Sequence, residues 1–265
     1  MSESTPISIV VSGATGRMGR AVALLASDDA TFLLLGGIDR NASEDDNLYP
    51  TISSVAHAGD LLDQADVLID FSAPALLADV LRARKTAGAT SAVVIGTTGL
   101  SETEHALVRE EAERAPVLVA ANFSLGVNLL IELSERVARS LGRSWDVEIV
   151  EAHHRRKEDA PSGTALAIGE AVAAGLDEEL GKVRVDGRSG RPGARPTGEI
   201  GFHSIRGGDV AGDHQVHFLS NLERVELTHR ASDRAVFAAG ALHAARWIHA
   251  REPGMYTMKQ VLDLQ

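Results

Sequence analysis

The chain has 265 residues, 44% hydrophobic and 24% charged, which is ordinary for a soluble globular protein and long enough for one large α/β domain or two smaller ones. A formal net charge of -11 argues against a general nucleic-acid binder, and the absence of cysteine excludes disulfides, thiolate metal sites and a cysteine nucleophile. No apolar run approaches the roughly 18–20 residues needed to cross a bilayer, and the opening Met-Ser-Glu-Ser-Thr-Pro lacks a signal-peptide pattern, so a cytoplasmic protein is expected.

The β-branched run at 7–11 predicts a strand, and Ser12 leads from it into Gly13-Ala14-Thr15-Gly16-Arg17-Met18-Gly19. Ala21, Val22, Leu24 and Leu25 then continue at helical spacing. In a strand, glycine turn and helix, Gly13 permits the tight turn, Gly16 a close approach of backbone to a diphosphate, and Gly19 close packing of helix on strand. The spacing G-x-x-G-x-x-G departs from G-x-G-x-x-G and leaves the choice between NADH and NADPH open. Residues 32–38 form a second apolar run ending in Asp39, about 20 residues after Gly19, where a carboxylate accepts hydrogen bonds from ribose hydroxyls. Arg40 beside it offers a charge for a 2′-phosphate.

The alternation continues. Residues 67–71 read as a buried parallel strand, and Pro74 sits in the first turn of the helix that follows. Residues 92–95 form another strand ending in Gly96-Thr97-Thr98-Gly99, and Ser101 with Glu104 makes a capping box for the next helix. The strand at 116–121 leads into Asn122 and Phe123. Repeated βα units predict a Rossmann-like, doubly wound parallel sheet, in which ligands lie beyond the carboxyl ends of the strands. Small or polar residues stand at those ends, at 13–18, 71–72, 96–98 and 120–123.

The second half has another character. Val127, Leu130, Ile131, Ser134, Val137, Ala138 and Leu141 predict a helix closed by Gly142, and a strand follows at 146–150. Residues 181–198, rich in Gly, Pro and Arg, read as a mobile surface loop, either a plain insertion or a lid. The runs 199–205, 213–218 and 223–228 alternate with short polar connections, which predicts antiparallel pairing of consecutive strands in an open, mainly antiparallel sheet of an α+β domain. Its free face is a candidate homo-oligomer surface. His203, His214, His217 and His229 lack the spacing of a metal site and read as sheet-surface or interface histidines, so no metal is expected. A long Ala-rich helix from 234 to 250 and the terminal segment are expected to return to the first domain. The predicted dinucleotide-binding domain is therefore discontinuous (1–124 and 234–265), and 125–233 forms the substrate-binding and oligomerisation domain.

The densest chemistry lies at 151–164, Glu-Ala-His-His-Arg-Arg-Lys-Glu-Asp-Ala-Pro-Ser-Gly-Thr, between the strand ending near Val150 and an Ala-rich helix. His153 and Lys157 can each deliver a proton. Arg155, Arg156 and His154 can attract carboxylates, and the amides after Pro161 open a helix N-terminus suited to an anion.

Taken together, these motifs resemble the dihydrodipicolinate reductase family over essentially the whole chain. The resemblance rests on 13–19, Asp-Phe-Ser at 70–72, Gly-Thr-Thr-Gly at 96–99, Ala-Asn-Phe-Ser at 121–124, the segments 151–157 and 161–165, and Gly-Phe-His-Ser-Ile-Arg-Gly-Gly-Asp at 201–209. It implies a homotetramer that reduces 4-hydroxy-tetrahydrodipicolinate, a small dicarboxylate, to tetrahydrodipicolinate with NADH or NADPH and loss of water, in lysine and diaminopimelate biosynthesis. It further implies that Gly13, Ala14, Thr15, Gly16, Arg17 and Met18 wrap the diphosphate, that Asp39 and Arg40 meet the adenosine ribose, and that Gly96, Thr97, Thr98, Ala120, Ala121, Asn122 and Phe123 line the nicotinamide side. His153 would donate the proton with Lys157, His154 would contact substrate, and Gly163 and Thr164 would bind a substrate carboxylate. Members of the family often carry Glu where this chain has Asp39. A two-domain dehydrogenase of another kind would share the nucleotide motifs without the His-His-x-x-Lys segment, and a non-catalytic redox sensor would leave its cations unexplained.

Overall fold

Runs of four to seven apolar residues bounded by turn chemistry are too short for helices, and in the first half each becomes a strand, most of them largely buried. The computed structural model describes residues 5–40 and 47–264. Its elements begin β1 (Ile7–Ser12), α1 (Arg17–Ser27), β2 (Phe32–Ile38), β3 (Ile52–Ser53), α2 (Gly59–Gln64), β4 (Val67–Asp70), α3 (Pro74–Ala87), β5 (Ala92–Ile95), α4 (Glu102–Ala112) and β6 (Pro116–Val119). Ser101 caps α4 as expected, its hydroxyl accepting from the Thr103 amide while Glu104 accepts from the Ser101 amide.

The second half follows with α5 (Leu125–Leu141), β7 (Asp146–His153), α6 (Gly163–Gly175), α7 (Leu180–Val183), β8 (Arg184–Asp186), β9 (Ile200–Arg206), β10 (Gly212–Leu219) and β11 (Arg224–Ala231). The chain ends in α8 (Ala235–Ile248), β12 (Gly254–Tyr256) and α9 (Met258–Val261). Two compact units result: the described residues up to Ser124 together with Ala235–Asp263, and Leu125–Arg234.

In the first unit all seven strands run parallel, in the order β12-β6-β5-β4-β1-β2-β3. The chain leaves β1 on one side through β2 and returns on the other through β4, so the strand order reverses between β1 and β4, the topological switch point where ligands bind in such sheets. Val10, Ile38, Leu68, Val93 and Ile95 pack with Leu77 and Val80 of α3 in one core.

In the second unit the order is β11-β10-β7-β9-β8. Here the structure corrects the predicted pairing. β7 inserts between β9 and β10, parallel to β9 and antiparallel to β10, so two of the four pairings are parallel and the sheet is mixed rather than mainly antiparallel. The alternation of β9 and β10 showed that each has one buried face. It carried no information on which neighbour each would take, because β7 has the same period. A second correction concerns 181–198. Its start folds as the end of α7 and as β8, and its remainder is pinned by Arg188 and Arg195, which bind Glu148 at 2.9 Å. A third is that β7 runs on to His153, so the charged stretch begins inside a strand.

A fully buried ion pair braces α3 on α4. Arg84 donates to Glu111 at 2.8 Å and to the hydroxyl and carbonyl of Ser91, with 0% and 3% of the two charged side chains exposed. Removing one partner leaves an ion without its counter-charge in the interior. Arg84→Ala should therefore lower the free energy of unfolding by about 3 kcal/mol in urea titrations. Lys85→Ala, which loses only the exposed pair with Glu110, should leave it close to wild type.

Candidate functional site

The strand ends around the switch point of the first unit are locked together by backbone and rings. Gly13 follows β1 at φ +76°, and a Cβ there would stand 2.4 Å from the carbonyl oxygen of Phe71, the residue after β4. The Phe71 ring lies in turn against Gly96, after β5, where a Cβ would come within 2.1 Å of it. On its other side it meets Phe123, after β6, edge-on at 5.6 Å. Thr97 is held from below, its hydroxyl donating to the buried Asp70 while it accepts from the Ser72 amide at 2.8 Å. Burial raises the Asp70 carboxyl above its ordinary range, against the hydrogen bonds from Ser72 and Thr97.

At the end of β2, Asp39 accepts from the amide of Thr15 at 2.9 Å and from its hydroxyl at 2.7 Å, and from the Arg40 amide at 2.7 Å. The glycine loop is thereby tied to the acidic residue that follows β2. Thr15, Gly16 and Arg17 are exposed at the start of α1, as are Arg40, Thr98 and Ala121. These residues fit a dinucleotide: a glycine turn that tolerates no side chain, open amides at the N-terminus of an 11-residue helix, and a carboxylate beside them.

In the second unit the inner face of the sheet changes from hydrocarbon to charge along a single row. Val147 and Ile149 of β7, Phe202 of β9, and Val216 and Phe218 of β10 share a core with α5 and α6. The next inward positions are Glu151 and His153 on β7, paired with Ser204 and Arg206 on β9, and His214, opposite Glu151 on β10. Glu151 is 1% exposed and is clamped by two Arg206 nitrogens, each at 2.7 Å. It also accepts from the Ser162 amide at 3.3 Å and touches His153 Nδ1 at 2.6 Å. Burial would raise this carboxyl, but the hydrogen bonds from Arg206, Ser204 and His153 outweigh it and bring it down to about 2. An ionised carboxylate has no hydrogen to give, so Nδ1 of His153 is the donor.

Ser162 caps α6, its hydroxyl accepting from the Ala165 amide at 3.1 Å and meeting His214 Nε2 at 3.2 Å. Gly163 and Thr164 are the first residues of that helix. The His214 ring stands edge-on to His153 at 5.2 Å, and burial, followed by the charge of His153, lowers it to about 4. His154 accepts from Arg234 at 2.6 Å and is held below the ordinary imidazole value by lost hydration and then by Arg234 and Arg156. Lys157, partly buried, pairs with Asp159 at 2.9 Å. Arg156 is mostly exposed and spent on Asp209 at 2.7 Å, so it is not among the cations gathered here.

The expected residues thus fall into two groups, one in each unit. Sequence reasoning missed Glu151 as a partner of His153, although their spacing of two places both on one face of any strand. It also missed Arg206 and Ser162, and it placed His214 on the sheet surface or at an interface, whereas His214 is 3% exposed and packed on His153 within the unit. The alternation His214, Val216, Phe218 carried the signal for that burial.

A neutral buried imidazole has a consequence for stability. The folded His214 titrates near 4 and the unfolded one near 6.5, so between these values the unfolded chain takes a proton that the folded chain refuses. Stability is full above pH 6.5 and is lost as the pH falls toward 4. This residue should contribute a loss of about 2 kcal/mol between pH 7 and pH 5. Urea unfolding at the two pH values should show that increment in the wild type and not in His214→Gln.

Comparison with known proteins agrees over both halves. Residues 7–123 match the family model "Dihydrodipicolinate reductase, N-terminus" and residues 126–262 match "Dihydrodipicolinate reductase, C-terminus". The 4-hydroxy-tetrahydrodipicolinate reductase of Zymomonas mobilis is 47% identical over 264 residues, covering 100% of both chains. That of Acinetobacter baumannii is 45% identical, covering 100% of this chain and 98% of its own. Among solved structures, dipicolinate-bound dihydrodipicolinate reductase from Paenisporosarcina sp. TG-14 superposes with a TM-score of 0.75 at 20% identity, covering 98% of this chain and 100% of its own. The C. glutamicum DAP dehydrogenase in complex with DAP does so with 0.58 at 16%, covering 99% and 97%, a likeness of fold alone. Matched by both family models and by relatives of this identity along its full length, the chain belongs to the dihydrodipicolinate reductase family.

Proposed function

We propose that this protein reduces 4-hydroxy-tetrahydrodipicolinate to tetrahydrodipicolinate, with loss of water, at the expense of NADH or NADPH, as a step of lysine and diaminopimelate biosynthesis. The observation that carries the reading is the polar row of the second unit. An acid-capable imidazole held by a buried carboxylate lies beside the N-terminus of α6 and the partly buried Lys157, in a chain whose full-length relatives are named for this reaction. The substrate is a dianion, for which helix amides and cations are the matching wall. On this reading Gly163 and Thr164 receive a substrate carboxylate, and His154 contacts the substrate beside them.

Gly13, Ala14, Thr15, Gly16, Arg17 and Met18 hold the diphosphate of the dinucleotide, Asp39 and Arg40 the adenosine ribose, and Gly96, Thr97, Thr98, Ala120, Ala121, Asn122 and Phe123 the nicotinamide side. When bound, the reduced nicotinamide supplies a hydride. The electron pair displaced through the conjugated imine settles on a neighbouring carbon, which must take a proton. His153 and Lys157 supply it, a contribution of roughly 10²–10³ in rate for a positioned general acid. Asp39 is one methylene shorter than Glu, and Arg40 beside it suits a 2′-phosphate, which supports use of both cofactors. The half-buried outer residues of β7 and β10 support assembly as a homotetramer through this sheet.

The test is a coupled assay with pyruvate, aspartate semialdehyde and the synthase that makes the substrate, following NADH and NADPH separately. Substrate-dependent oxidation of either cofactor is expected, and none with both would contradict the proposal. Lys157→Ala should lower kcat by about 100-fold or more while leaving the dinucleotide Kd within about twofold. An unchanged kcat would remove Lys157 from the chemistry.

A further inference from the structure

The row on the inner face of the second sheet contains more than a proton donor needs for itself. Glu151 is buried, and four donor atoms from three residues occupy both carboxylate oxygens, with Ser204 adding a further hydrogen bond. Oε2 takes His153 Nδ1 and one Arg206 nitrogen, and Oε1 takes the other Arg206 nitrogen and the Ser162 amide. Arg206 is itself anchored to the carbonyl of Asp159 at 2.7 Å. A bidentate guanidinium fixes the plane of the carboxylate, and the carboxylate fixes the plane and tautomer of the imidazole.

We propose that Glu151, oriented by Arg206, is the positioning residue of His153: it keeps the hydrogen on Nδ1, so that the proton given to substrate leaves from Nε2. This rests on the reading of His153 as the acid. Free imidazole in water prefers the opposite tautomer, with its hydrogen on Nε2, so the structure imposes the form that the reaction leaves behind and that must be recharged at Nε2. Glu151 itself takes no proton, because Arg206 and the Ser162 amide satisfy its charge.

The groups facing His153 set the sign of the effect. From its own strand comes Glu151, negative. From β9 comes Arg206, positive but already paired with Glu151. From β10 comes His214, whose ring is packed edge-on against it and buried. From the following turn come the charge of Lys157, which is paired with Asp159, and His154. Among these described groups Glu151 is the only anion in hydrogen-bond contact with the ring. Its removal as a charge therefore disfavours the imidazolium.

The experiment uses the full-length protein with histidine labelled with ¹⁵N and ¹³C, His153→Gln serving to assign the resonance. In the wild type, neutral His153 should be the Nδ1–H tautomer, and finding hydrogen on Nε2 would overturn the proposal without any variant at Glu151. Glu151→Gln keeps an acceptor for Nδ1 and removes the anion that stabilises the imidazolium. The alkaline limb of the kcat–pH profile should therefore move to lower pH in this variant, and the KM for the dicarboxylate should change less than about twofold. Glu151→Asp, which restores the charge, should recover part of the shift. A purely structural Glu151 would lower activity equally at all pH values and leave the shape of the kcat–pH profile in place, and that pattern would refute the role. If the wild type oxidises neither cofactor, the functional reading fails whatever the tautomer. If the wild type turns over and the Glu151→Gln pH profile superimposes on it, the positioning role alone fails.

Discussion

A carboxylate taken out of water at the end of an apolar sheet face is tolerated only when its charge is met at close range, and Glu151 is met on every side. Breaking such a pair typically costs about 3–5 kcal/mol, because the remaining ion stays buried. The contact therefore does more than hold a side chain. It joins β7 to β9 through Arg206, to the start of α6 through the Ser162 amide, and to the imidazole of His153. The mixed order of the sheet is what makes this possible. With β7 between β9 and β10, Glu151 has Ser204 on one side and His214 on the other. Simple pairing of consecutive strands would have brought β9 against β10 and left Glu151 without that row.

The first unit solves a related problem with backbone and aromatic rings instead of charge. Gly13 and Gly96, where no side chain fits, bring main chain against Phe71, and Phe71 leans on Phe123. Asp70, kept from solvent beneath Thr97, sets the height of the loop after β5. Asp39 ties the glycine loop to the end of β2 through Thr15. These ties connect strand ends far apart in sequence; most are adjacent in the sheet, and Phe71–Phe123 reaches from β4 past β5 to β6. The relative placement of the loops is therefore set by the β1–β4 switch and not by any one motif.

Much of this was legible from residue order. The run 32–38 with Asp39 at its end, the run 92–95 with Gly96, and the Ser101–Glu104 capping box are local signals, and each formed within the expected bounds. His153 and Lys157 drew attention because two imidazoles and three fixed cations fall within five residues of an acidic chain. What could not be read was long-range. Arg206 lies 55 residues from Glu151 in sequence, and Ser162 reaches His214 across 52. Those partnerships follow from strand order, which alternation alone does not encode. Arg188 and Arg195 likewise appeared to belong to a mobile loop, since only the folded sheet reveals that Glu148 awaits them.

The most direct test of the account is a crystal structure of this protein with a nicotinamide dinucleotide and pyridine-2,6-dicarboxylate bound together. A ligand carboxylate should lie on the amides of Gly163 and Thr164, with Nε2 of His153 turned toward the ligand and Nδ1 still on Glu151. A dicarboxylate bound elsewhere, or a His153 ring released from Glu151 and turned to bulk water, would contradict it.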